Sequence, residues 1–167
     1  MPLSGRLRFL PLSGAGAVED YRLPAGEKAP PRWRSLIPLD ETQFLAVTAS
    51  GLVIKVQLRS APVPHLASVV DIDVQRPVDV EPAASSGRFV IADTGNRVQI
   101  FDTANFEPRG TWTAPSRITG AVWIVGDRAF VEIDRKELVA LPLDGEFKIA
   151  WRVPLTSSLA GPPLRRD

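Results

Sequence analysis

Short apolar runs separated by turn residues recur along most of the chain. One run at 44–48 reads Phe-Leu-Ala-Val-Thr; the turn Ala-Ser-Gly at 49–51 joins it to a second run, Leu-Val-Ile-Lys-Val, at 52–56. Two such runs joined by a tight glycine-containing turn are typical of a β-hairpin. The same pattern returns at 88–101 and 129–143. No helix-length window keeps apolar residues at helical spacing, so the pattern predicts an all-β chain.

The hairpins are spaced at a regular interval. Phe44, Phe89 and Phe130 open the first strands, at steps of 45 and 41 residues. A period of about 40 residues with four short strands in each unit is the sequence signature of a β-propeller blade. The runs are apolar on both faces, which favours blades packed between neighbours over a β-sandwich or barrel with one solvated face. A proline closes the outer strand of each unit, at Pro24, Pro77, Pro115 and Pro154.

The repeat predicts a single propeller-like domain over 1–167, made of about three full blades and a split one. A usual ring has about four to eight blades, so we expect an incomplete propeller or one completed by a second copy. A four-blade ring closed by the two ends of the chain is the alternative. The predicted parts are a partial blade at 5–24, an inserted loop at 25–34, blades at 35–77, 78–115 and 116–154, and the first strand of a next blade at 157–164.

Composition and charge argue against several classes of function. The 16 prolines fit short strands and frequent turns. With 20 Lys+Arg and 19 Asp+Glu, the formal net charge of +1 gives no field that favours nucleic acid or an anionic membrane. Having no cysteine and one histidine, the chain lacks disulfides, thiolate metal sites and a thiol nucleophile. We predict no membrane span and no signal peptide, and the compartment stays undetermined.

Two segments resemble known propeller repeats. Residues 89–102, Phe-Val-Ile-Ala-Asp-Thr-Gly-Asn-Arg-Val-Gln-Ile-Phe-Asp, resemble the hairpin of an NHL repeat, which would span 88–103. Residues 128–145 and 150–155 are similar to blades of quinoprotein-like propellers, the PQQ-like and BamB-like group. The resemblance implies the fold, but these families differ in what they bind. Quinone dehydrogenases of this kind would require a paired-cysteine ring, so no catalytic, cofactor-binding or metal-ligating residue is predicted.

The sharpest motif is the turn Asp93-Thr94-Gly95-Asn96-Arg97. Gly95 and Asn96 tolerate positive φ and Asp93 can accept hydrogen bonds from the turn amides, so a structural role in the hairpin is the first interpretation. The NHL resemblance implies a second one, because NHL-like propellers can use the face that carries such turns to bind protein or RNA. Asp93, Asn96 and Arg97 are therefore candidate partner-binding residues.

Tryptophans supply the remaining candidates. Trp33 lies between Arg32 and Arg34, and an amphipathic aromatic among cations is common at interfaces, so Trp33 and Arg34 are predicted partner contacts. Anchoring of the inserted loop is the alternative role for Trp33. Trp112 and Trp151 each lie three residues before a proline and are expected to pack between blades. The remaining polar candidates are interpreted as solvated groups rather than a metal site: Asp71, Asp73, Asp79, Glu81 and His65.

The predicted function is a non-enzymatic propeller module that binds a protein partner through its loops or rim. A second copy of the chain is one such partner, because it would complete the ring. Two alternatives stay open: part of a quinoprotein-like cofactor-binding enzyme, and an NHL-like propeller that binds RNA or another ligand. The net charge of +1 argues against RNA.

Overall fold

Strands account for all the regular secondary structure of the described residues, which are 6–7, 21–22, 32–85, 87–145 and 147–163 of the computed structural model. The all-β prediction is therefore confirmed. No helix in this part of the chain is long and apolar enough to cross a membrane. By its internal contacts the chain divides into two units, 1–75 and 76–167.

The first unit contains a four-stranded antiparallel sheet whose strands are adjacent in chain order. Side chains on a strand alternate between its two faces, and the neighbours Leu45, Ala46 and Val47 are all fully buried, so both faces of this sheet are covered. This agrees with the two-sided apolar pattern of the sequence. The strands of the unit are β1 (Arg6–Leu7), β2 (Tyr21–Arg22), β3 (Trp33–Pro38), β4 (Gln43–Thr48), β5 (Leu52–Arg59) and β6 (His65–Asp73), with β1 paired to β2.

The second unit contains two more sheets of the same design, each an antiparallel meander of four strands. Consecutive strands pair in both, so chain order and spatial order coincide. The first sheet consists of β7 (Ala83–Ser85), β8 (Arg88–Ala92), β9 (Arg97–Asp102) and β10 (Pro108–Thr113), and the second of β11 (Ile118–Val125), β12 (Arg128–Ile133), β13 (Glu137–Pro142) and β14 (Trp151–Pro154).

The two sheets of the second unit pack face to face. Val90, Val98 and Ile100 of one sheet join Val131 and Leu141 of the other in a single buried cluster. The sheets also meet at one end, where the Val122 N–H donates to the Glu81 carbonyl at 2.9 Å and Glu81 forms a parallel bridge to Ala121. Strands β7 and β11 are therefore the inner strands of two adjacent propeller blades, and β10 and β14 are the outer strands.

The first strands of two blades begin at residues other than those predicted from the sequence. β3 begins at Trp33, so Trp33 and Arg34 belong to a strand and not to the predicted inserted loop at 25–34, of which 25–31 lie outside the described residues. Trp33 pairs with Thr48, and this pairing extends the sheet by two residues. In the next blade, β7 is confined to 83–85, although Val78 and Val80 before it are buried.

The strand predicted at 157–164 is not formed over the described residues 157–163. The Leu159 N–H donates to a carboxylate oxygen of Glu132 at 2.8 Å instead of to a strand. Pro162 and Pro163 have no N–H with which to join a ladder. Leu159 of this segment, like Leu155 before it, packs against the cluster of Phe130, Leu138 and Ala140 on the preceding blade.

Candidate functional site

The turn between β8 and β9 is organised around the carboxylate of Asp93, whose side chain is 0% exposed. Its Oδ1 accepts the N–H groups of Gly95 at 2.8 Å and Arg97 at 3.3 Å. Its Oδ2 accepts the Arg97 Nε at 2.8 Å and the Gln99 Nε2 at 3.3 Å. Asn96 has a φ of 61°, the left-handed conformation that asparagine tolerates. Both oxygens of Asp93 are occupied within the turn, so its first role is to shape the hairpin.

Neighbouring segments hold the same turn in place. The Thr94 N–H donates to the Pro77 carbonyl at 3.0 Å, and the Ala114 N–H donates to the Asn96 carbonyl at 2.8 Å. The guanidinium of Arg76 lies directly over Gly95, where any Cβ atom would collide with it. A side chain at position 95 would displace the end of the Arg76 side chain, so glycine allows this guanidinium to pack against the turn.

Trp33 and Arg34, in the first unit, differ in exposure. Trp33 is half-buried and packs against Ala46, Ile54 and Val56, whereas Arg34 is exposed. The indole Nε1 of Trp33 is buried and has no hydrogen-bond partner among the described residues. Trp33 therefore packs on the sheet of its own unit, and the assignment of Trp33 and Arg34 as partner contacts stays a prediction.

A cavity of about 330 Å³ opens in the second unit, beside the first residues of β11. Three polypeptide segments meet there: the one before β7, the start of β11, and the turn between β12 and β13. Two of its lining residues are arginines and one is an aspartate, and the Arg117 Nη2 lies 3.7 Å from the Asp79 Oδ2. The lining residues are Asp79, Val80, Arg117, Ile118, Thr119, Gly120 and Arg135.

A buried carboxylate, Glu132, lies behind this cavity with 0% of the residue exposed. Its Oε1 accepts the Thr119 hydroxyl at 2.9 Å and the Ser158 hydroxyl at 2.8 Å. Its Oε2 accepts the Leu159 N–H at 2.8 Å and also lies 3.1 Å from the Ser158 hydroxyl. Glu132 therefore fastens the segment after β14 to the blade. We call this arrangement the Glu132 clasp.

Sequence reasoning missed Glu132, although the repeat contains a signal for it. Counted from the repeating phenylalanines, Glu132 occupies the position of Ala46 and Ile91 in the other two blades. Both of those residues are fully buried. A carboxylate at a repeat position that is otherwise apolar needs hydrogen-bond donors, so its presence indicates a polar network specific to this blade.

The stabilising effect of the clasp is expected to depend on pH. Burial raises the pKa of Glu132, but the hydrogen bonds from Leu159, Ser158 and Thr119 and the charge of Arg135 together outweigh burial, and the pKa lies below its ordinary value of 4.5. A lowered pKa in the folded state stabilises the protein above pH 4.5, and this contribution is lost as the pH falls through the folded-state value. Urea unfolding of the wild type and Glu132→Gln should therefore show a stability difference that narrows below pH 4.5. A difference that stays constant between pH 7 and about pH 3 would contradict this assignment.

The outer strand β14 is exposed along its whole length. Trp151 is 37% exposed and Val153 is 40% exposed, and the Trp151 ring is tilted against Phe130 with ring centroids 5.6 Å apart. Leu138 pairs with Val153 and Ala140 with Trp151, so both exposed side chains lie on the sheet face of Leu138 and Ala140. We call Trp151 and Val153 the rim patch.

Trp112 and Trp151 thus have different environments, and only Trp112 packs between blades as expected. Trp112 pairs with Val98 on β9 and contacts the cluster shared by the two sheets of the second unit. In the repeat, Leu138 corresponds to Val98, so Trp151 lies on the equivalent face of the last blade. In the described part of the second unit no further blade lies on that face, and Trp151 stays exposed.

In the described residues, no group of three or more His, Asp or Glu side chains could hold a metal ion. Three sheets of four antiparallel strands, two of them packed face to face with their inner strands adjacent, define the fold as that of β-propeller blades. The expectation of propeller blades in an incomplete set is confirmed.

Solved β-propeller structures are similar to this chain. BamB from Moraxella catarrhalis is 14% identical with a TM-score of 0.57, covering 71% of this chain and 34% of that one. Sqt1 from Saccharomyces cerevisiae is 12% identical with a TM-score of 0.60, covering 74% and 35%. Apo AztD from Citrobacter koseri is 12% identical with a TM-score of 0.61, covering 93% and 43%. No family model and no curated protein matches the chain.

These likenesses concern the fold. The chain spans between 34% and 43% of the length of the three structures. The propeller fold expected from the resemblance is thereby confirmed, whereas the PQQ-like assignment and the NHL-like assignment of 88–103 stay predictions.

Proposed function

We propose that this chain is a non-enzymatic β-propeller module that binds a protein partner through its rim. The observation that carries the proposal is the rim patch, where Trp151 and Val153 are exposed on an outer strand. Tryptophan is enriched among the residues that dominate protein–protein binding energies, because its large ring buries much apolar area at low entropic cost. In the β7–β10 blade, the equivalent face is covered by the next β-sheet of the second unit.

The chemistry of β14 also limits the mode of binding. β14 has four residues, and its last, Pro154, has no N–H to offer to an added strand. Proline on an edge strand opposes open-ended strand addition. We therefore assign binding to the side chains of the rim patch rather than to the strand edge, and expect the partner to present apolar side chains to Trp151 and Val153.

Affinity purification of the tagged chain from extracts of its source organism, followed by Kd measurement with each recovered protein, tests this proposal. Val153→Asp places a charge in the patch and leaves the packing of Trp151 on Phe130 in place. We expect it to weaken binding at least tenfold, which corresponds to about 1.4 kcal/mol. Val69→Asp is the matched control, because Val69 is a 47% exposed valine on β6 of the first unit.

Equal affinities of the wild type and Val153→Asp for every recovered protein would overturn the proposal. Circular dichroism and thermal unfolding of both variants verify that the fold is kept. Sedimentation velocity of the purified chain identifies a second copy as the partner, in which case Val153→Asp should shift the assembly towards monomer. Calorimetric titration with pyrroloquinoline quinone and Ca²⁺ tests the enzyme alternative, for which binding would be required.

A further inference from the structure

Two arginines from different segments of the chain line the cavity beside β11, which we call the arginine cleft. Arg117 immediately precedes β11, and Arg135 lies in the turn between β12 and β13. With Asp79 they are the charged lining residues, so the lining carries one net positive charge. The cleft shares no lining residue with the rim patch, and its ligand does not depend on the function proposed for that patch.

Three hydrogen bonds fix the Arg135 turn against the start of β11. The Ser116 hydroxyl donates to the Asp134 Oδ2 at 2.6 Å. The Asp134 N–H donates to the Arg117 carbonyl at 2.9 Å, and the Arg135 N–H donates to the Thr119 hydroxyl oxygen at 3.1 Å. Because both arginines belong to segments joined by these bonds, their backbones hold a fixed separation across the cleft.

The conformation of Arg135 is unfavourable for an arginine. Asp134 has a φ of 50° and Arg135 a φ of 60°, and the Lys136 N–H donates to the Ile133 carbonyl at 2.9 Å. This is a tight turn with both central residues at positive φ, for which Asn-Gly is the preferred sequence. Asparagine or glycine at position 135 would suit the backbone better. An arginine held there against its conformational preference indicates a use for the guanidinium, whose charge also lowers the pKa of the nearby Glu132.

Arg117 can exchange its present contact for a ligand. Its side chain is 75% exposed, and its Nη2 lies 3.7 Å from the Asp79 Oδ2, against about 2.7–2.9 Å for a tight charge-assisted hydrogen bond. An anion entering the cleft would meet a guanidinium whose donors are not committed to a short ion pair. The planar guanidinium fork matches the oxygens of carboxylate and phosphate groups.

We propose that the arginine cleft binds a small oxyanion, a phosphate or carboxylate group of a soluble ligand, between the guanidinium groups of Arg117 and Arg135. The volume of about 330 Å³ is that of a small-molecule site and is too small for a folded partner. Thr119 and Gly120 line the cleft beside the two arginines, so their amides can report on a bound anion.

Titration of the full chain with sodium phosphate and, separately, sodium succinate at constant ionic strength tests this proposal by NMR. We expect saturable shifts of the Thr119 and Gly120 amide signals with at least one anion. Saturable shifts with phosphate, with succinate or with both would support an oxyanion site and would show which oxyanion is preferred. No saturable shift with either would overturn it.

The variants separate binding from folding. Arg135→Gly removes one guanidinium and places the preferred residue at a positive φ, so we expect at least tenfold weaker anion binding together with an unchanged or raised melting temperature. Arg117→Gln should weaken binding to a similar extent. Arg128→Gln is the matched control, because Arg128 lies at the other end of β12, about 17 Å along the strand from the turn. Equal anion affinity in Arg135→Gly and Arg128→Gln would also overturn the proposal.

Discussion

Replacing Glu132 with alanine is expected to lower the free energy of unfolding by about 3 kcal/mol. The substitution removes the acceptor of the Thr119 hydroxyl, the Ser158 hydroxyl and the Leu159 N–H together. A buried donor left without an acceptor costs about 1–3 kcal/mol, and part of the cost is recovered where water reaches the exposed Ser158. Urea denaturation monitored by tryptophan fluorescence measures the loss.

Two further variants locate the origin of this effect. Glu132→Gln keeps the shape of the side chain and one carbonyl oxygen for the Leu159 N–H, so its cost should be less than half that of alanine. Ser158→Ala removes one donor and leaves the carboxylate with two others, so it should cost about 1 kcal/mol or less. An alanine variant at position 132 as stable as the wild type would show that the clasp contributes nothing.

Replacing Asp93 with alanine is expected to cost a similar amount, about 3 kcal/mol, in the β8–β9 hairpin. The Gly95 and Arg97 N–H groups and the Gln99 amide lose their acceptor. The Arg97 guanidinium loses its carboxylate partner, but the Arg97 side chain is 31% exposed and regains part of its hydration. Thermal and urea unfolding measure the total.

Asp93→Asn separates the contribution of the turn hydrogen bonds from that of the ion pair with Arg97. Asparagine keeps an oxygen that can accept the turn amides and lacks the charge that pairs with Arg97. We expect roughly half the loss of the alanine variant if the turn amides and the ion pair contribute comparably. A loss equal to that of alanine would assign the whole effect to the ion pair and would contradict the Asx-type role of Asp93.

Features that repeat along the chain could be predicted from the sequence, because each is set by local chemistry. The apolar runs at a period of about 40 residues determine the blades, and the turn of Asp93, Gly95 and Asn96 has the hydrogen bonds and the positive φ that its residue types favour.

Features that depend on contacts between distant segments were not predictable in this way. The Glu132 clasp joins residues 26 and 27 positions apart, and the exposure of Trp151 depends on what covers one face of the last blade. The strand expected at 157–164 does not form over 157–163, because the Leu159 N–H donates to Glu132 and the two prolines have no N–H. The arginine cleft requires the turn geometry at Arg135, which residue preferences alone would argue against.

The meander order of the three sheets has a consequence for how the chain acquires its structure. Every ladder in a four-stranded sheet joins neighbours in sequence, so the loops that must close are short and their entropic cost is small. Pairing between strands that are neighbours in sequence keeps contact order lower than pairing between distant strands, and lower contact order favours faster folding. Each blade can therefore close its own hairpins from roughly 40 residues, but its apolar faces are buried only when the neighbouring sheets pack against them.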